Sequence, residues 1–299
     1  MKHELIAAIE AGGTKFNCAI GTGPDDIRLS ARIDTTSPME TMREVIAFFE
    51  NGMRQVGKFG AIGIGAFGPL DLNKNSDTYG YITTTPKEGW KYTDLLGSLQ
   101  EIFHVPMVID TDVNAAAFGE YTWGNGRQCN PLVYITVGTG VGGGVLVDGK
   151  PLHGALHPEI GHLFIPPILS NAPNPEGICR FHGDCVEGLI SGPAIAARWG
   201  APAESFPPDH ECWGEFSTFM GLALANLTLT LSPQRIILGG GVMHQTQLFP
   251  MIQEELQRLL NGYLQTYELM EGINDYIVPP GLGDQAGILG AIAMAQQLL

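Results

Sequence analysis

The sequence predicts an α/β fold with two domains. Short apolar segments with the length of buried strands alternate with segments whose apolar residues recur at helical spacing. The chain has 299 residues, which is long for one hydrophobic core because a domain commonly holds about 150. A pattern of strand, glycine turn and strand occurs near the N-terminus and returns from Leu132, so we expect the two domains to resemble each other.

The first half of the chain begins with a predicted hairpin. A buried strand at 5–10 is followed by the glycine turn AGGTK and a second strand, FNCAIG, and a third strand is predicted near Ile27–Ile33. Apolar residues at helical spacing predict an amphipathic helix from Met39 to about Gln55. Short apolar strands follow at 61–69 and 105–110, and the next segment, VNAAAFGEYTWG, favours a helix.

The second half repeats the strand pattern and then becomes more helical. LVYITVGTG and GGGVLVDGK form another strand, glycine turn and strand, and RIILGGGVM places glycines after a further buried strand. Helices are predicted at 188–198, from about 211 to 231, at about 248–262 and in the terminal AGILGAIAMAQQLL. We therefore expect a small α/β domain of residues 1–111 completed by the C-terminal helix 286–299, and a large α/β domain of residues 112–285.

Composition and charge exclude several classes of function. The formal net charge is −15, from 16 Lys and Arg against 31 Asp and Glu, whereas nucleic-acid binding depends on clustered basic residues. The sequence has no run of about 18 uncharged apolar residues to span a membrane, and it enters a strand too early for a signal peptide. Five cysteines, an odd number, favour reduced thiols over a disulfide framework. We therefore expect a cytoplasmic protein that binds neither nucleic acid nor membrane.

The loop at 157–187 has the residues of a metal site. It is too rich in proline for a long helix, and Cys179, His182 and Cys185 stand in a C-x2-H-x2-C spacing. With His162 upstream, four donors can close a tetrahedron around a structural Zn2+. The alternative is that the cysteines are ordinary buried apolar groups and His182 is a loop histidine.

Three apolar strands end in glycine turns, at 11–15, 138–144 and 239–242. Without a Cβ atom in the way, successive backbone N–H groups can converge on an anion, so each turn is a candidate phosphate site or a simple hairpin turn. None of them has the Walker pattern or the G-x-G-x-x-G dinucleotide motif with its helix and acidic residue. Two phosphate-binding hairpins that face each other across a cleft are typical of the actin/hexokinase nucleotide-binding fold.

The order of motifs along the whole chain resembles the ROK family of sugar kinases and repressors. The motifs are EAGGTK, GAFGP, TDVNAAAFGE, ITVGTGVGGG, HPEIGH, the cysteine loop ending in Glu187, and ILGGGV. Within that family, TTTPKEGW and HPEIGH resemble the bacterial fructokinase branch. The resemblance implies a duplicated two-domain ATPase fold of the actin/hexokinase (ribonuclease H-like) class, ATP with Mg2+ as phosphoryl donor, a structural Zn2+ and a homodimer.

Asp112 is the predicted general base. It matches the catalytic aspartate of the family's D-x-N-A-A-A segment, and it follows a buried strand, where α/β folds place their chemistry. On local sequence alone it can equally be the N-cap of the helix that follows. Asp110 is a rival within the strand. Asn114 is expected to bind the sugar or to hold the base segment in place.

The resemblance also assigns binding residues. Glu159, His162 and Glu187 resemble the family's ligands for sugar hydroxyls, although loop residues of these types are more often merely polar. If one ring nitrogen of His162 binds zinc, the other is left for the sugar. The expected nucleotide contacts are Gly12, Gly13, Thr14 and Lys15; Gly138, Thr139 and Gly140; Pro193, which can also be a helix-start proline; and Gly240, Gly241, Val242 and Met243.

Three features depart from the family pattern. Glu10 stands where most members have aspartate, and its longer side chain can still reach Mg2+ through water. The family's metal loop is richer in cysteine, whereas Phe181 and His182 stand here. Thr111 replaces the asparagine of many glucose-specific members, which favours fructose over glucose.

The sequence thus predicts an ATP-dependent fructokinase that acts on the 6-hydroxyl. A kinase of another hexose, namely mannose, glucose or N-acetylmannosamine, is the first alternative. A sugar-sensing repressor would carry an N-terminal helix-turn-helix module, yet this chain enters its first phosphate strand by residue 5 and is acidic. A zinc hydrolase with Glu159 as base would need an open zinc position, which four protein ligands do not leave.

Overall fold

The computed structural model describes residues 4–299, and within that range it has twelve strands and nine α-helices. The first three residues of the expected small domain lie outside this range. The strands are β1 (Ile6–Ala11), β2 (Lys15–Gly23), β3 (Asp26–Asp34), β4 (Ala61–Ala66), β5 (Tyr81–Ile82), β6 (Thr93–Asp94), β7 (Met107–Thr111), β8 (Leu132–Val137), β9 (Val141–Val147), β10 (Lys150–Pro151), β11 (Arg235–Gly239) and β12 (Ile277–Val278). The helices are α1 (Pro38–Val56), α2 (Leu95–Gln100), α3 (Asp112–Thr122), α4 (Val186–Ile190), α5 (Gly192–Trp199), α6 (Glu211–Leu231), α7 (Leu248–Leu260), α8 (Ile273–Tyr276) and α9 (Ala286–Gln296). Across the described residues, every helix is too short or too polar to cross a membrane.

The chain divides into two compact units. The first comprises the chain up to Arg127, Lys150–His157 and Gln285–Leu299, and the second comprises Gln128–Gly149 and Pro158–Asp284. This division differs from the expected boundary at residue 111, because α3 belongs to the first unit. Helix α3 packs so closely on α9 that a Cβ atom on Gly290 would collide with the carbonyl oxygen of Ala115.

The first unit is built on a sheet with the strand order β3-β2-β1-β4-β7. Strands β1, β2 and β3 are antiparallel neighbours, whereas β4 runs parallel to both β1 and β7. Ile62 and Ile64 of β4 belong to the core that includes Val45 and Phe49 of α1, and Gly63 between them faces α9. Because β1, β4 and β7 are parallel, the glycine turn after β1 and the Asp112 segment after β7 lie at the same edge of this sheet.

The second unit has its own sheet, in which neighbouring strands follow the order β9-β8-β11-β12. Strands β8 and β9 are antiparallel, and β11 is parallel to β8 and β12. The glycine turns at 138–140 and 240–241 follow the parallel strands β8 and β11, so they too share one edge of their sheet. Helix α6 is buried over most of its length, as its nearly all-round apolar sequence predicted.

The predicted helix at 188–198 is two helices, α4 and α5, separated at Ser191. Ser191 has an extended backbone (φ −61°, ψ 159°) and its hydroxyl accepts a hydrogen bond from Ala194 N–H, so it caps α5. Pro193 follows in the first turn of α5, where its missing N–H costs nothing. The break lets Gly192 N–H donate to the Gly138 carbonyl oxygen, at 2.8 Å, and thereby support the glycine turn after β8.

Candidate active site and metal centre

Asp112 begins α3, directly after strand β7. The helix cap is Thr111, whose hydroxyl accepts a hydrogen bond from Asn114 N–H at 3.1 Å. The alternative that Asp112 itself is the N-cap is therefore wrong. Only one oxygen of Asp112 is bonded within the helix start, where Oδ1 accepts from Val113 N–H at 2.9 Å.

The surroundings of Asp112 favour its protonated form. Burial raises the pKa of Asp112 to about 6, and the negative charge of Glu10 adds to this effect. Glu10 is held on β1, where its Oε2 accepts from Asn17 Nδ2 at 2.7 Å. Its carboxylate lies against Gly287 in the first turn of α9, because a Cβ atom there would collide with it. A carboxylate with a pKa near neutrality suits general-base chemistry.

Asp110 has a different environment from Asp112. It is buried, and its Oδ1 accepts from Thr111 N–H at 2.8 Å and from Asn114 Nδ2 at 2.7 Å. His153 Nε2 lies 3.0 Å from the other oxygen. Asp110 thus holds the start of α3 together, which argues against it as the base. In residues 4–299, Oδ1 of the buried Asn114 has no hydrogen-bond partner.

The first glycine turn is tied to the segment that follows β3. Gly12 N–H donates to Lys15 O at 2.9 Å and closes the turn, while Gly13 and Thr14 are exposed. Thr35 N–H donates to Thr14 O at 3.0 Å, and its hydroxyl donates to Gly12 O at 2.8 Å. The turn is therefore held by one of its own N–H groups and by its carbonyls, and its exposed residues Gly13 and Thr14 remain accessible to an anion.

Sequence reasoning assigned no role to several residues near this edge. Thr35 and Lys87 contact each other, and His153 contacts Asp110. His157 Nε2 accepts from Leu70 N–H at 3.1 Å. The signal available for Lys87 was its place in TTTPKEGW, a segment that sequence reasoning treated only as a mark of the family branch.

In the second unit, Glu187 is attached to the glycine turn after β8. Its Oε2 accepts from Val141 N–H at 3.0 Å and lies against Gly140, where a Cβ atom would come within 2.7 Å. Gly138 N–H donates to Gly140 O at 2.9 Å, and Thr139 between them is exposed. One oxygen of Glu187 is therefore fixed by the turn, and the other has no hydrogen-bond partner among the described residues.

Glu159 precedes a short 3-10 helix, Ile160–His162, which packs against β9 and ends at His162. A Cβ atom on Gly161 would collide with Val141 O, so only glycine permits this approach. Glu159 is exposed, and its carbonyl accepts from His162 N–H at 3.0 Å. The motif is thereby held beside the strand that follows the second glycine turn.

The third glycine turn follows β11. Gly240 has φ +90°, and a Cβ atom there would collide with Val137 backbone atoms. Gly241 is exposed, whereas the side chains of Val242 and Met243 are buried. Of these four residues, only the two glycines offer backbone that a nucleotide can reach directly.

The structure brings together all four residues proposed to bind metal. Nδ1 of His162 lies 3.3 Å from His182 Nδ1, 3.8 Å from Cys179 Sγ and 3.5 Å from Cys185 Sγ. Zinc bonds of about 2.0–2.1 Å to nitrogen and about 2.3 Å to sulfur place neighbouring donors in a tetrahedron roughly 3.3–3.8 Å apart. All four donor atoms lie within 4.8 Å of one another, so the cluster fits Zn2+.

A tight turn produces this cluster. Cys179 N–H donates to Gly183 O at 3.3 Å, and Gly183 N–H returns a bond to Cys179 O at 2.8 Å. Gly183 has φ +60°, a conformation that favours glycine. Val186 N–H donates to Leu163 O at 3.1 Å and joins the cysteine turn to the end of the 3-10 helix that contains His162. Four protein donors complete a tetrahedron, which argues against the zinc-hydrolase alternative.

Comparisons with known proteins agree with this architecture. The model of the ROK family matches residues 6–298 of this chain. A putative fructokinase of Bacillus subtilis is 44% identical over 297 residues, covering 99% of this chain and 96% of that protein. A fructokinase of Zymomonas mobilis is 43% identical over 301 residues, covering 99% and 98%. The crystal structure of a ROK hexokinase from Thermus thermophilus has a TM-score of 0.77 at 25% identity and covers 98% of each chain. The predicted fold class is confirmed.

Proposed function

The chain belongs to the ROK family, and on that basis we propose that it is an ATP-dependent fructokinase that phosphorylates the 6-hydroxyl of fructose. The observation that carries the proposal is likeness over nearly the whole chain to several bacterial fructokinases. The carboxylate of Asp112 and the glycine turns provide the groups that such a reaction needs.

Asp112 acts as the general base. Its carboxylate takes the proton of the 6-hydroxyl, and the hydroxyl oxygen forms a bond to the γ-phosphorus of ATP. The bond from that phosphorus to the bridging oxygen breaks, and its electron pair leaves with ADP. The products are fructose 6-phosphate, ADP and a proton held on Asp112. A pKa of about 6 leaves Asp112 mostly ionised at neutral pH, yet makes it a stronger base than an ordinary aspartate.

Glu159, His162 and Glu187 bind sugar hydroxyls in this proposal. His162 turns Nδ1 to the metal cluster, which leaves Nε2 for a hydroxyl. Glu187 is fixed through one oxygen and offers the other. Asn114 holds the base segment through Asp110, and its Oδ1, which has no hydrogen-bond partner among the described residues, is offered to the substrate.

The nucleotide phosphates meet the backbone of the glycine turns. Gly12, Gly13, Thr14 and Lys15 form one phosphate contact, and Gly138, Thr139 and Gly140 form another. Gly240 and Gly241, with the exposed Pro193, bind the adenosine end, whereas the side chains of Val242 and Met243 are buried. Backbone amides suit this acidic chain because its net charge of −15 leaves few side-chain cations for phosphate.

Two metal ions complete the proposal. The carboxylate of Glu10 suits Mg2+, which prefers oxygen ligands, and Glu10 would hold the ion through water. When bound with ATP, this ion supplies positive charge against the phosphates. His162, Cys179, His182 and Cys185 hold a structural Zn2+, which fixes the loop that carries the sugar ligands.

The test is ADP release with fructose, mannose, glucose and N-acetylmannosamine as substrates, measured with a coupled assay. We expect kcat/KM to be highest with fructose. A higher value with glucose would overturn the sugar assignment. No ADP release with any sugar would overturn the kinase assignment.

A further inference from the structure

The segment TTTPKEGW docks on the support of the first glycine turn. Trp90 is fully buried, packs on Phe16 and Phe67, and donates from Nε1 to Thr36 O at 2.8 Å. Its burial fixes the backbone three residues away, where Lys87 stands. The position of Lys87 is therefore set by the core, although Lys87 itself is only half-buried.

The ammonium group of Lys87 is held close to that turn. Lys87 Nζ donates to Thr35 O at 3.3 Å. Thr35 in turn donates to Gly12 O and Thr14 O, so a single residue separates the ammonium from the proposed phosphate contact. All four residues belong to the same unit of the chain.

This ammonium lacks an anion. Among residues 4–299 no carboxylate lies within ion-pair distance of Lys87 Nζ, and Thr35 O is its one hydrogen-bond acceptor. An ammonium has three N–H donors, and a charge taken partly out of water normally has a partner of opposite charge. The chain has 31 Asp and Glu that could supply one, yet none does. A ligand anion at the glycine turn would fill this gap.

We propose that Lys87 is a catalytic residue that donates a hydrogen bond to the γ-phosphoryl group of ATP during transfer. The inference rests on the proposed function, because it takes the first glycine turn to bind ATP phosphates. Lys87 forms and breaks no covalent bond. Its positive charge offsets the negative charge on the phosphoryl oxygens while the phosphorus moves from ADP to the sugar oxygen.

The test compares nucleotides that differ in the γ-phosphate. Calorimetry measures the Kd of AMPPNP and of ADP, each with Mg2+, for the wild type and Lys87→Met. We expect Lys87→Met to weaken AMPPNP about tenfold or more, because a charge-assisted hydrogen bond is lost, and to change ADP binding less than about twofold. With fructose and ATP, kcat falls on the order of 100-fold while the KM for fructose is unchanged.

Three variants serve as controls. Lys91→Met removes an exposed lysine four residues along the chain and should leave both Kd values unchanged. Trp90→Phe loosens the docking of the segment through the lost bond to Thr36 O without changing charge, and it should not reproduce the selective loss of AMPPNP binding. Lys87→Arg keeps the positive charge and should recover most of the AMPPNP affinity.

The outcomes separate this inference from the proposed function. Equal losses for AMPPNP and ADP, or the same selective loss in Trp90→Phe, would show that Lys87 only anchors the segment and would overturn the inference. If Lys87→Met selectively weakens AMPPNP binding but the wild type does not phosphorylate fructose, the Lys87 contact stands and the fructokinase assignment is rejected. A wild type that binds neither nucleotide would overturn both.

Discussion

Asp110 and Asp112 are two residues apart, but their surroundings give them different chemistry. Asp110 accepts hydrogen bonds from Thr111, Asn114 and His153, so its carboxylate is saturated by structural partners. Asp112 has one short local bond, and both burial and Glu10 disfavour its charge. Because its charged form is disfavoured, the Asp112 carboxylate binds a proton more tightly than a carboxylate whose charge is stabilised by hydrogen bonds.

Replacement of the base gives the first residue-scale prediction. Asp112→Asn should lower kcat by about 10²–10⁴-fold, because the amide cannot accept the hydroxyl proton, while the Kd for fructose stays within a few fold. Steady-state kinetics and calorimetry measure the two quantities. Asp209→Asn, at an exposed loop position, is the control for loss of one charge. Turnover at the wild-type level would remove Asp112 from its role.

The raised pKa of Asp112 predicts an acid limb in the activity profile. The base works only when ionised, so kcat/KM should fall as the pH drops through about 6. Because the charge of Glu10 helps to raise this pKa, Glu10→Gln should move the limb to lower pH. The position of the limb is read from kcat/KM against pH, independently of any loss of maximal rate. A limb that moves upward in Glu10→Gln would contradict this account.

The metal loop shows how an element with little regular structure is held. It has one short 3-10 helix and a turn at Gly183, and its core is four donor atoms rather than packed apolar side chains. Phe164, Leu169, Ile178 and Phe181 on this segment are all exposed, so these four side chains contribute little apolar burial to it. Metal binding can supply the missing free energy directly.

Loss of zinc gives the first element-scale prediction. The purified protein should contain one Zn2+ per chain by elemental analysis, and Cys179→Ser should reduce that content. Because the loop carries Glu159 and His162, the same variant should raise the KM for fructose more than the KM for ATP. Cys129→Ser, outside the cluster, is the control. Wild-type KM values in a zinc-free protein would reject the role of the metal in positioning the loop.

A buried ion pair ties the loop after the 3-10 helix to α5 and α6. Arg198, 2% exposed, pairs with Glu215 and also donates to Leu189 O at 3.2 Å and Pro175 O at 3.2 Å. Glu215 in turn accepts from Ser170 Oγ at 2.7 Å. Removing one member of such a pair leaves a buried charge without its partner.

Arg198→Met should therefore lower the free energy of unfolding by about 3–5 kcal/mol. Arg258 pairs with Glu255 on the surface of α7, where its side chain is 64% exposed, and Arg258→Met should lower that free energy far less. Denaturant unfolding of both variants measures the difference. Similar losses of unfolding free energy in the two variants would show that the buried pair stabilises the protein no more than the surface pair does.

At the scale of the whole molecule, we propose that the exposed apolar residues of the metal loop form the contact between the two chains of the expected homodimer. Leu169 is fully exposed, and Phe164 and Phe181 are 71% and 57% exposed. Exposed apolar groups concentrated on one segment are typical of a surface that binds a partner.

Light scattering should therefore give a mass about twice that of the 32.1 kDa chain. Leu169→Glu with Phe181→Glu should shift the mass toward the monomer, because burying these charges opposes association. The control is Tyr263→Glu, at an exposed position on another part of the chain. A wild-type monomer at micromolar concentration would reject the homodimer.

Most of the elements could be predicted because their signals are local. Apolar periodicity placed α1, α6 and the buried strands, and glycines after apolar strands placed the turns. The single predicted helix at 188–198 was wrong, because Ser191 and Pro193 start a new helix inside an apolar run. The boundary at 111 differs from the observed division because α3 is held by α9, and no local pattern reports that contact.

The sequence by itself determined which groups are present: the C-x2-H-x2-C donors with His162, the Asp112 position after a buried strand, and the glycine turns. These groups can be identified from residue type and spacing, because both are properties of nearby positions in the chain. Only the tertiary structure decided that Thr111 caps α3, that Glu10 stands beside Asp112, and that Lys87 meets Thr35 across 52 residues. Contacts of this kind depend on how strands pair and helices pack. They are therefore determined by the free energy of the whole fold and not by any local segment.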